Sequence, residues 1–199
     1  MKLFLLYRCP FAHRATIVLQ EKGLAFEPVF FERGKRPPEL EGAGNYARSP
    51  TLFDGDTTVW DAGIVIEYLE ERYPSPALLP ASAKGRATAR MLVSRVGQEI
   101  GVHAGTCAVE LVYKPKPDET KVAKAKSDFL DALGPWDQLL EGRSFLIEDT
   151  LSLADVTLYT LFPAMKGLTD IEIPAERPHL RAWYDRMTAR KTTKLLERS

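Results

Sequence analysis

The sequence is poor in cysteine and carries no excess charge of either sign. It contains 2 cysteines, Cys9 and Cys107, in 199 residues, too few for the disulfide framework of a secreted domain. We therefore expect a reducing, cytoplasmic setting. Lys plus Arg number 27, as do Asp plus Glu, so the net charge is zero. Such a balance gives no general attraction to nucleic acid or to an anionic membrane.

Long hydrophobic runs are also missing, and we expect no signal peptide at the start of this sequence. No stretch approaches the roughly 18–20 consecutive apolar residues that a membrane-spanning helix needs. The apolar start of the chain, Met1 to Leu6, leads directly to Arg8 without the cleavage site of a signal peptide. Apolar residues make up 45% of the sequence, as in an ordinary packed protein, and 199 residues suffice for one large or two small domains.

The first third of the chain has a strand–helix–strand pattern. Residues 2–7 are predicted to form a buried strand, residues 10–23 an amphipathic helix with Ala15, Val18 and Leu19 on one face, and residues 25–31 a second strand. Such a unit gives a parallel pair of strands with a right-handed crossover. Pro28 lacks an N–H donor and therefore favours an edge position for the second strand.

A hairpin and a capped helix complete this first module. Two short strands around Asp54-Gly55-Asp56 form the predicted hairpin. Asp61 then caps a helix that runs to about Tyr73. The polar stretch 32–47, which precedes the hairpin, is predicted to carry at most a short helix.

Beyond a proline-rich linker at about 74–84, the sequence is predicted to be helical. The expected helices cover residues 84–112, 119–141, 152–166 and 178–190. Gly134-Pro135 is expected to kink or split the second of them. The predicted domains are therefore residues 1–74, of the α/β class, and residues 85–199, which are all-α.

Two spacings on the long helix leave alternatives open. His103 and Cys107 share a face, where packing in the core or a cleft is favoured over metal binding because no further ligands are evident. Gly97, Gly101 and Gly105 share another face, although each glycine costs about 1 kcal/mol in a helix relative to alanine. Close backbone approach or room for a bulky substrate would explain them.

Cys9 is the main candidate for chemistry because it lies between a strand and the helix that begins at Pro10. The N–H groups and the macrodipole at a helix N-terminus favour an anion, and Arg8 and Arg14 add positive charge nearby. Such surroundings produce reactive thiolates, whereas the alternative is a buried, inert cysteine. No second cysteine has the spacing of a dithiol site, so any redox cycle needs an external thiol.

Two further positions are candidates for binding a peptide-like ligand. Pro50, at the start of a short strand, is either a cis proline that leaves the backbone of Ser49 free to pair, or an ordinary edge-strand proline. Asp61 either caps its helix or binds an ammonium group. The N-terminus of the same helix, at Ala62, is a second anion site.

Several stretches together resemble the glutathione S-transferase family. They are Tyr7 to Gly23, the Ser49-Pro50-Thr51-Leu52 hairpin, Trp60 to Leu69, the capping box Ser152 to Asp155, and Pro178 to Tyr184. Cys-Pro-Phe-Ala-x-Arg is most similar to the cysteine-type classes, omega-like and dehydroascorbate-reductase-like. The resemblance covers nearly the whole chain. It implies a thioredoxin-like N-terminal domain, a helical C-terminal domain and a homodimer.

The resemblance also implies roles around the thiol. Cys9 would face the sulfur of glutathione, the co-substrate, and Pro10 and Phe11 would shape the pocket. The backbone of Ser49, before a cis Pro50, would pair with the cysteinyl part of glutathione.

The two ends of glutathione have their own implied partners. Asp61 and the backbone of Ala62 would hold the γ-glutamyl end, and Arg48 or Lys35 would meet the glycyl carboxylate. The family usually has serine where Ala62 stands, and loss of that hydroxyl costs about 0.5–1.5 kcal/mol of binding.

The function implied is glutathione-dependent thiol transfer or reduction with a cysteine nucleophile, or transfer of glutathione to an electrophile. Its partners would be glutathione, a small electrophilic or disulfide substrate and a second copy of the chain, without nucleic acid or membrane. The alternative is an interaction protein, because residues Val59 to Pro80 also resemble stringent starvation protein A, a non-catalytic branch of the family that binds RNA polymerase.

Overall fold

In the computed structural model of the protein, which describes residues 1–7, 9–44, 48–147 and 149–194, the chain divides into two units. The first comprises Met1–Leu78 and the segment that begins at Lys191, and the second comprises Leu79–Arg190. None of the helices within the described ranges is both long and apolar enough to cross a membrane.

A four-stranded sheet with the order β2-β1-β3-β4 forms the centre of the first unit. The strands are β1 (Lys2–Leu6), β2 (Glu27–Phe31), β3 (Thr51–Asp54) and β4 (Thr57–Trp60). The helices are α1 (Pro10–Glu21), α2 (Pro38–Glu41) and α3 (Ala62–Arg72). β2 is parallel to β1, and β3 is antiparallel to both β1 and β4. The predicted parallel pair, edge strand, short helix and hairpin are confirmed, and this is a thioredoxin-like arrangement.

Helix α1 is buried around its whole circumference. Eight successive residues, from Ala12 to Leu19, are buried. The sequence predicted an amphipathic helix with Ala15, Val18 and Leu19 on its buried face. The structure corrects this expectation, because polar side chains of the same helix, including Arg14, are buried as well.

A buried ion pair ties the end of α1 to α3 and to the linker that follows. Lys22 Nζ lies 2.6 Å from Glu70 Oε2 and donates to the carbonyl oxygens of Tyr73 and Pro76, at 2.7 and 2.9 Å. Glu70 in turn accepts the N–H of Leu78 at 3.0 Å. Both charges are thus hydrogen-bonded, as a buried ion pair requires if it is not to destabilise the fold.

The second unit is helical. Its helices are α4 (Ala83–Arg95), α5 (Val102–Ala108), α6 (Glu119–Asp131), α7 (Gly134–Leu139), α8 (Leu153–Tyr159), α9 (Leu161–Thr169) and α10 (Pro178–Thr188). The expected long helix contains two π-helical segments, Val96–Gly101 and Val109–Tyr113. The predicted split near Gly134 is confirmed, whereas the helix expected over 152–166 divides at Thr160.

The three glycines of the long helix have different surroundings. A Cβ at Gly101 would lie 3.2 Å from the carbonyl oxygen of Val96, within the first π-helical segment. Gly97 and Gly105 have open space where a Cβ would stand. Close backbone approach therefore accounts for Gly101 alone.

Asp155 is the hydrogen-bonding centre of the second unit. Its Oδ1 accepts the N–H of Leu146 and the indole N–H of Trp183, both at 2.9 Å. Its Oδ2 accepts the N–H and the hydroxyl of Ser152, at 2.9 and 2.6 Å. The predicted structural role of this capping box is confirmed, and the carboxylate also joins the start of α8 to α10.

Replacing Asp155 with alanine should destabilise the protein strongly. Asp155→Ala leaves four buried donors without an acceptor, so we expect the free energy of unfolding to fall by about 2–4 kcal/mol. Urea denaturation measures this change, with Asp131→Ala on exposed α6 surface as the matched control. A loss for Asp155→Ala no larger than that of the control would contradict the assignment.

Candidate functional site

The register of the sheet brings one end of each strand to the same border of the sheet. This border runs across the strand ends, and we call it the strand-end edge to distinguish it from the edge strands. Phe4 of β1 pairs with Thr51 of β3, and Thr51 pairs with Trp60 of β4. Leu6, at the end of β1, pairs with Phe31 at the end of β2. The segments after β1, after β2, before β3 and after β4 therefore all meet this edge.

Cys9 lies at this edge as the N-cap residue of α1. Its backbone is extended, with φ −78° and ψ 117°, and Pro10 follows as the first helical residue. The N–H of Cys9 donates to Leu6 O at 3.3 Å, and its carbonyl accepts the N–H of His13 at 3.0 Å. The thiol makes no capping hydrogen bond, and Cys9 as a residue is partly exposed. An accessible sulfur thus lies at a helix N-terminus, as predicted.

Two exposed aromatic rings flank the thiol in the sequence. Phe11 is 47% exposed and Tyr7 is 40% exposed, although large aromatic side chains are usually covered. The Tyr7 ring lies 6.1 Å from the ring of Phe30 in β2. Phe11 is therefore available to shape a pocket beside Cys9, together with the half-buried Pro10.

The Ser49–Pro50 peptide bond is cis, which decides between the two alternatives for Pro50 and agrees with the resemblance. Pro50 is buried, and the hydroxyl oxygen of Ser49 accepts the N–H of Leu6 at 2.8 Å. This hydrogen bond joins the segment before β3 directly to the end of β1. The sequence assigned a role only to the Ser49 backbone, and nothing in its pattern indicated this function of the side chain.

Asp61 caps helix α3, and the capping prediction is confirmed. Its Oδ1 accepts the N–H groups of Gly63 and Ile64, at 2.8 and 3.3 Å. A Cβ at Gly63 would lie 3.2 Å from this oxygen, so the glycine makes room for the cap. Oδ2 accepts no hydrogen bond from the described residues, which leaves it available to an ammonium group. The two interpretations of Asp61 are therefore compatible.

Ala62, the first residue of α3, is 5% exposed. The N–H groups of a helix N-terminus favour an anion, but Asp61 already accepts those of Gly63, Ile64 and Val65. Of the first four N–H groups of α3, that of Ala62 is left for an anion site. Ala62 contributes only its backbone to this site, because its side chain carries no hydroxyl.

Arg14 is a buried cation near the thiol. Its side chain is 8% exposed, and its guanidinium carbon lies 5.7 Å from the centre of the Phe11 ring. Burial lowers the pKa of Arg14 to about 10, and the charges of Asp61 and Cys9 oppose this shift. The group is still protonated at neutral pH. From the sequence, Arg14 was expected only to add positive charge near Cys9, and its burial was not predicted. Arg8, which was expected to add charge in the same way, lies outside the described residues.

The two cations expected to meet the glycyl carboxylate have different surroundings. Lys35 Nζ lies 2.9 Å from Glu32 Oε2, and Glu32 raises the pKa of Lys35 through a hydrogen bond and its charge. A ligand carboxylate would have to compete with Glu32. Arg48 is exposed and directly precedes Ser49.

Arg36 was missed at the sequence level. Its guanidinium donates to the carbonyl oxygens of Leu40 and Gly44, and it thereby shapes the loop that follows β2. An arginine in a polar stretch before two prolines gives no sequence pattern that indicates such contacts.

His103 and Cys107 do not form a metal centre with other described residues. His103 Nδ1 lies 3.8 Å from Asp128 Oδ2, and burial raises the pKa of the Cys107 thiol. Within the described ranges, no group of three or more His, Cys, Asp or Glu side chains could hold a metal ion.

Family models match both parts of the chain. The model described as "Glutathione S-transferase, N-terminal domain" matches residues 3–77, and "Glutathione S-transferase, C-terminal domain" matches residues 119–186. The chain is 28% identical over 204 residues to glutathione S-transferase 3 of Zea mays, covering 96% of this chain and 90% of the relative. It is 27% identical over 158 residues to a stringent starvation protein A homolog of Haemophilus ducreyi, and the match covers 79% of this chain and 71% of the relative.

Solved structures agree with these sequence relatives. A glutathione S-transferase from Rhodospirillum rubrum F11 superimposes with a TM-score of 0.86 at 25% identity, covering 96% of this chain and 89% of the other. The resemblance inferred from the sequence is thus confirmed at the level of the family and its fold.

Substitutions of Asp61 distinguish the contribution of its helix cap to stability from that of its negative charge. Asp61→Ala removes the acceptor for two N–H groups at the start of α3, so we expect the free energy of unfolding to fall by about 1–2 kcal/mol. Asp61→Asn keeps an acceptor oxygen, and asparagine tolerates the positive φ of 74° found here, so its stability should change little. Equal losses for the two variants in urea denaturation would contradict this cap.

Proposed function

The chain belongs to the glutathione S-transferase family, and on this premise we propose that it catalyses glutathione-dependent thiol transfer with Cys9 as the nucleophile. Membership of the family supports a glutathione-dependent transferase activity, with glutathione as co-substrate. The observation that carries the finer proposal is the accessible thiol of Cys9 at the N-terminus of α1.

The convergence of segments at one edge of the sheet suggests how glutathione binds. The backbone of Ser49 pairs with the cysteinyl part of glutathione and directs its sulfur towards Cys9. Oδ2 of Asp61 accepts from the γ-glutamyl ammonium group, and the N–H of Ala62 donates to the adjacent carboxylate. These contacts use an acceptor and a donor with no partner of their own within the described residues.

The glycyl carboxylate is assigned to Arg48 in preference to Lys35. Lys35 already forms an ion pair with Glu32, whereas Arg48 directly precedes Ser49 in the chain. Arg48 offers several N–H donors in a planar fork that matches a carboxylate.

The reaction consists of two thiol–disulfide exchanges. The Cys9 thiolate attacks the glutathione sulfur of a mixed disulfide, a Cys9–glutathione bond forms, and the substrate sulfur leaves with the electron pair of the broken bond and takes up a proton. A second glutathione thiolate then attacks the sulfur of the bound glutathione. This step regenerates the Cys9 thiolate and releases glutathione disulfide. In the net exchange, one mixed disulfide and one glutathione thiol give the substrate thiol and glutathione disulfide.

The position of Cys9 suits both steps. The α1 macrodipole and N–H groups stabilise negative charge on the sulfur, which attacks in the first step and leaves in the second. Because the thiol is accessible, both the disulfide and the second glutathione can approach it. Transfer of glutathione to an electrophile would use the same glutathione-binding site.

A second candidate function is that of an interaction protein. Its support is the similarity to the stringent starvation protein A homolog, at 27% identity. Such a function does not require Cys9 to react. We also propose a cytoplasmic homodimer, and the exposed Trp60 and Ile64 offer apolar surface for a second copy.

Incubation with glutathione disulfide should give one glutathionyl adduct, on Cys9. We expect intact mass spectrometry to show the adduct in the wild type and in Cys107→Ser, and glutathione to remove it. Cys9→Ser should form no adduct, since the remaining cysteine is fully buried. Absence of an adduct from the wild type, together with absence of glutathione binding by calorimetry, would contradict the enzyme and favour the interaction protein.

A hydroxyl at position 62 should strengthen glutathione binding. Ala62→Ser adds a donor beside the proposed γ-glutamyl carboxylate, so we expect Kd to fall about 2- to 10-fold. The matched control is Ala83→Ser, at the first residue of α4. Calorimetry measures both variants, and an equal response of the two would show that the carboxylate does not bind at Ala62.

A further inference from the structure

A side chain completes the hydrogen bonding between β1 and the segment before β3. Phe4 pairs with Thr51, so a register continued by two residues places Ser49 opposite Leu6. In an antiparallel ladder, every second pair of opposed residues exchanges two backbone hydrogen bonds. Leu6 belongs to such a pair, because its N–H points towards Ser49 and donates to the hydroxyl oxygen at 2.8 Å. A regular ladder would instead join the backbone groups of these two residues.

Neither backbone group of Leu6 pairs with the backbone of Ser49. The Ser49 hydroxyl accepts the Leu6 N–H, and the Leu6 carbonyl accepts the N–H of Cys9 at 3.3 Å. In the part of the chain that the structure describes, no hydrogen bond involves the N–H or the carbonyl of Ser49. The hydroxyl therefore serves β1 as the Ser49 carbonyl would in a regular ladder, and the Ser49 peptide groups remain available to a ligand.

The same contact supports the turn that carries the thiol. Leu6 is the last residue of β1, and its peptide groups join the Ser49 hydroxyl on one side to the Cys9 N–H on the other. Ser49 is half-buried and Pro50 is buried, so this part of the strand-end edge is packed. One hydroxyl thus fixes the thiol and the neighbouring peptide groups relative to each other.

We propose that Ser49 is a positioning residue, whose hydroxyl takes the place of its own carbonyl in the sheet and thereby makes Cys9 select disulfides that carry a peptide backbone. The inference rests on the proposed function for the reaction and for the identity of the ligand as glutathione. Without the hydroxyl, the Leu6 N–H faces the carbonyl of the same residue, so the sheet and the ligand compete for one oxygen.

Two disulfides that differ in their backbone test the inference. Glutathione disulfide carries peptide groups beside its sulfurs, whereas bis(2-hydroxyethyl) disulfide carries none. With either reagent, the Cys9 thiolate bonds to one sulfur and the other half leaves as a thiolate, so the reactivity of Cys9 cancels in the ratio of the two rates. Mass spectrometry of the peptides measures both rates at Cys9, separately from the buried Cys107.

Ser49→Val and Ser49→Thr form a matched pair, because they differ only in a methyl group in place of the hydroxyl. We expect Ser49→Val to lower the ratio of the glutathione disulfide rate to the bis(2-hydroxyethyl) disulfide rate about three- to tenfold, the effect of one net hydrogen bond. Ser49→Thr keeps the acceptor and should retain the ratio within about twofold. Thr58→Val makes the same hydroxyl-to-methyl change at an exposed residue of β4 and should leave the ratio unchanged.

Three results with these variants would overturn the inference. An equal fall of both rates in folded Ser49→Val leaves the ratio unchanged and shows only a loss of local structure. A fall of the ratio in Ser49→Thr as large as in Ser49→Val shows that the hydroxyl is not the cause. An equally large fall in Thr58→Val shows that the effect is not specific to this position.

Amide hydrogen exchange in the wild type tests the same contact, whether or not Ser49→Val folds. NMR follows the amides of Leu6 and Ser49 with and without S-methylglutathione, which has peptide groups but no free thiol. We expect the Leu6 amide to exchange slowly in both states, and the ligand to slow the Ser49 amide by about fivefold or more. A Leu6 amide that exchanges fast, or a Ser49 amide that the ligand leaves unchanged, overturns the inference.

The two proposals fail in different ways. If S-methylglutathione protects the Ser49 amide but neither disulfide modifies Cys9, the thiol-transfer function is wrong and the positioning role of Ser49 remains. If glutathione disulfide modifies Cys9 but neither the ratio of rates nor the Ser49 amide responds, the function stands and the role of Ser49 is wrong.

Discussion

The hydrogen-bonded register of the four-stranded sheet is the constraint on which the candidate site depends. Cys9, Ser49 and Asp61 are far apart in the sequence, and they share one edge because β3 is antiparallel to both β1 and β4. A slip of one residue between strands would turn the side chains of the slipped strand to the opposite face and would displace the segments that carry these three residues. The hydrogen bond from the Leu6 N–H to the Ser49 hydroxyl joins the end of β1, from which the chain continues to Cys9, to the segment that precedes β3.

The features predicted well from the sequence are those with local causes. The predicted hairpin has the two-residue loop Gly55-Asp56, and Gly55 has the positive φ of 62° that the first position of such a loop requires. Proline is favoured at Pro10, the first residue of α1, because the N–H group that it lacks would have no hydrogen-bond partner within the helix at that position. Asp61 caps α3 through its own side chain. These signals lie within a few residues, and they placed the thiol at the start of α1, the hairpin and the cap of α3 correctly.

The features missed depend on contacts between distant segments. Spacing within α1 indicated one buried face, but packing around the helix buries Arg14 as well. The break at Thr160 and the grouping of the segment from Lys191 with the first unit likewise follow from tertiary packing. A charge in a sequence does not reveal its burial or its hydrogen-bond partners. The electrostatic character of the site therefore emerged only from the structure.

The most direct test of the central claim is a crystal structure of the protein after treatment with glutathione disulfide. The account predicts continuous electron density from the Cys9 sulfur to one glutathione. The cysteinyl backbone of that glutathione should lie at Ser49, and its γ-glutamyl end should lie between Asp61 and Ala62. Glutathione bound away from this edge of the sheet, or attached to Cys107, would contradict the account.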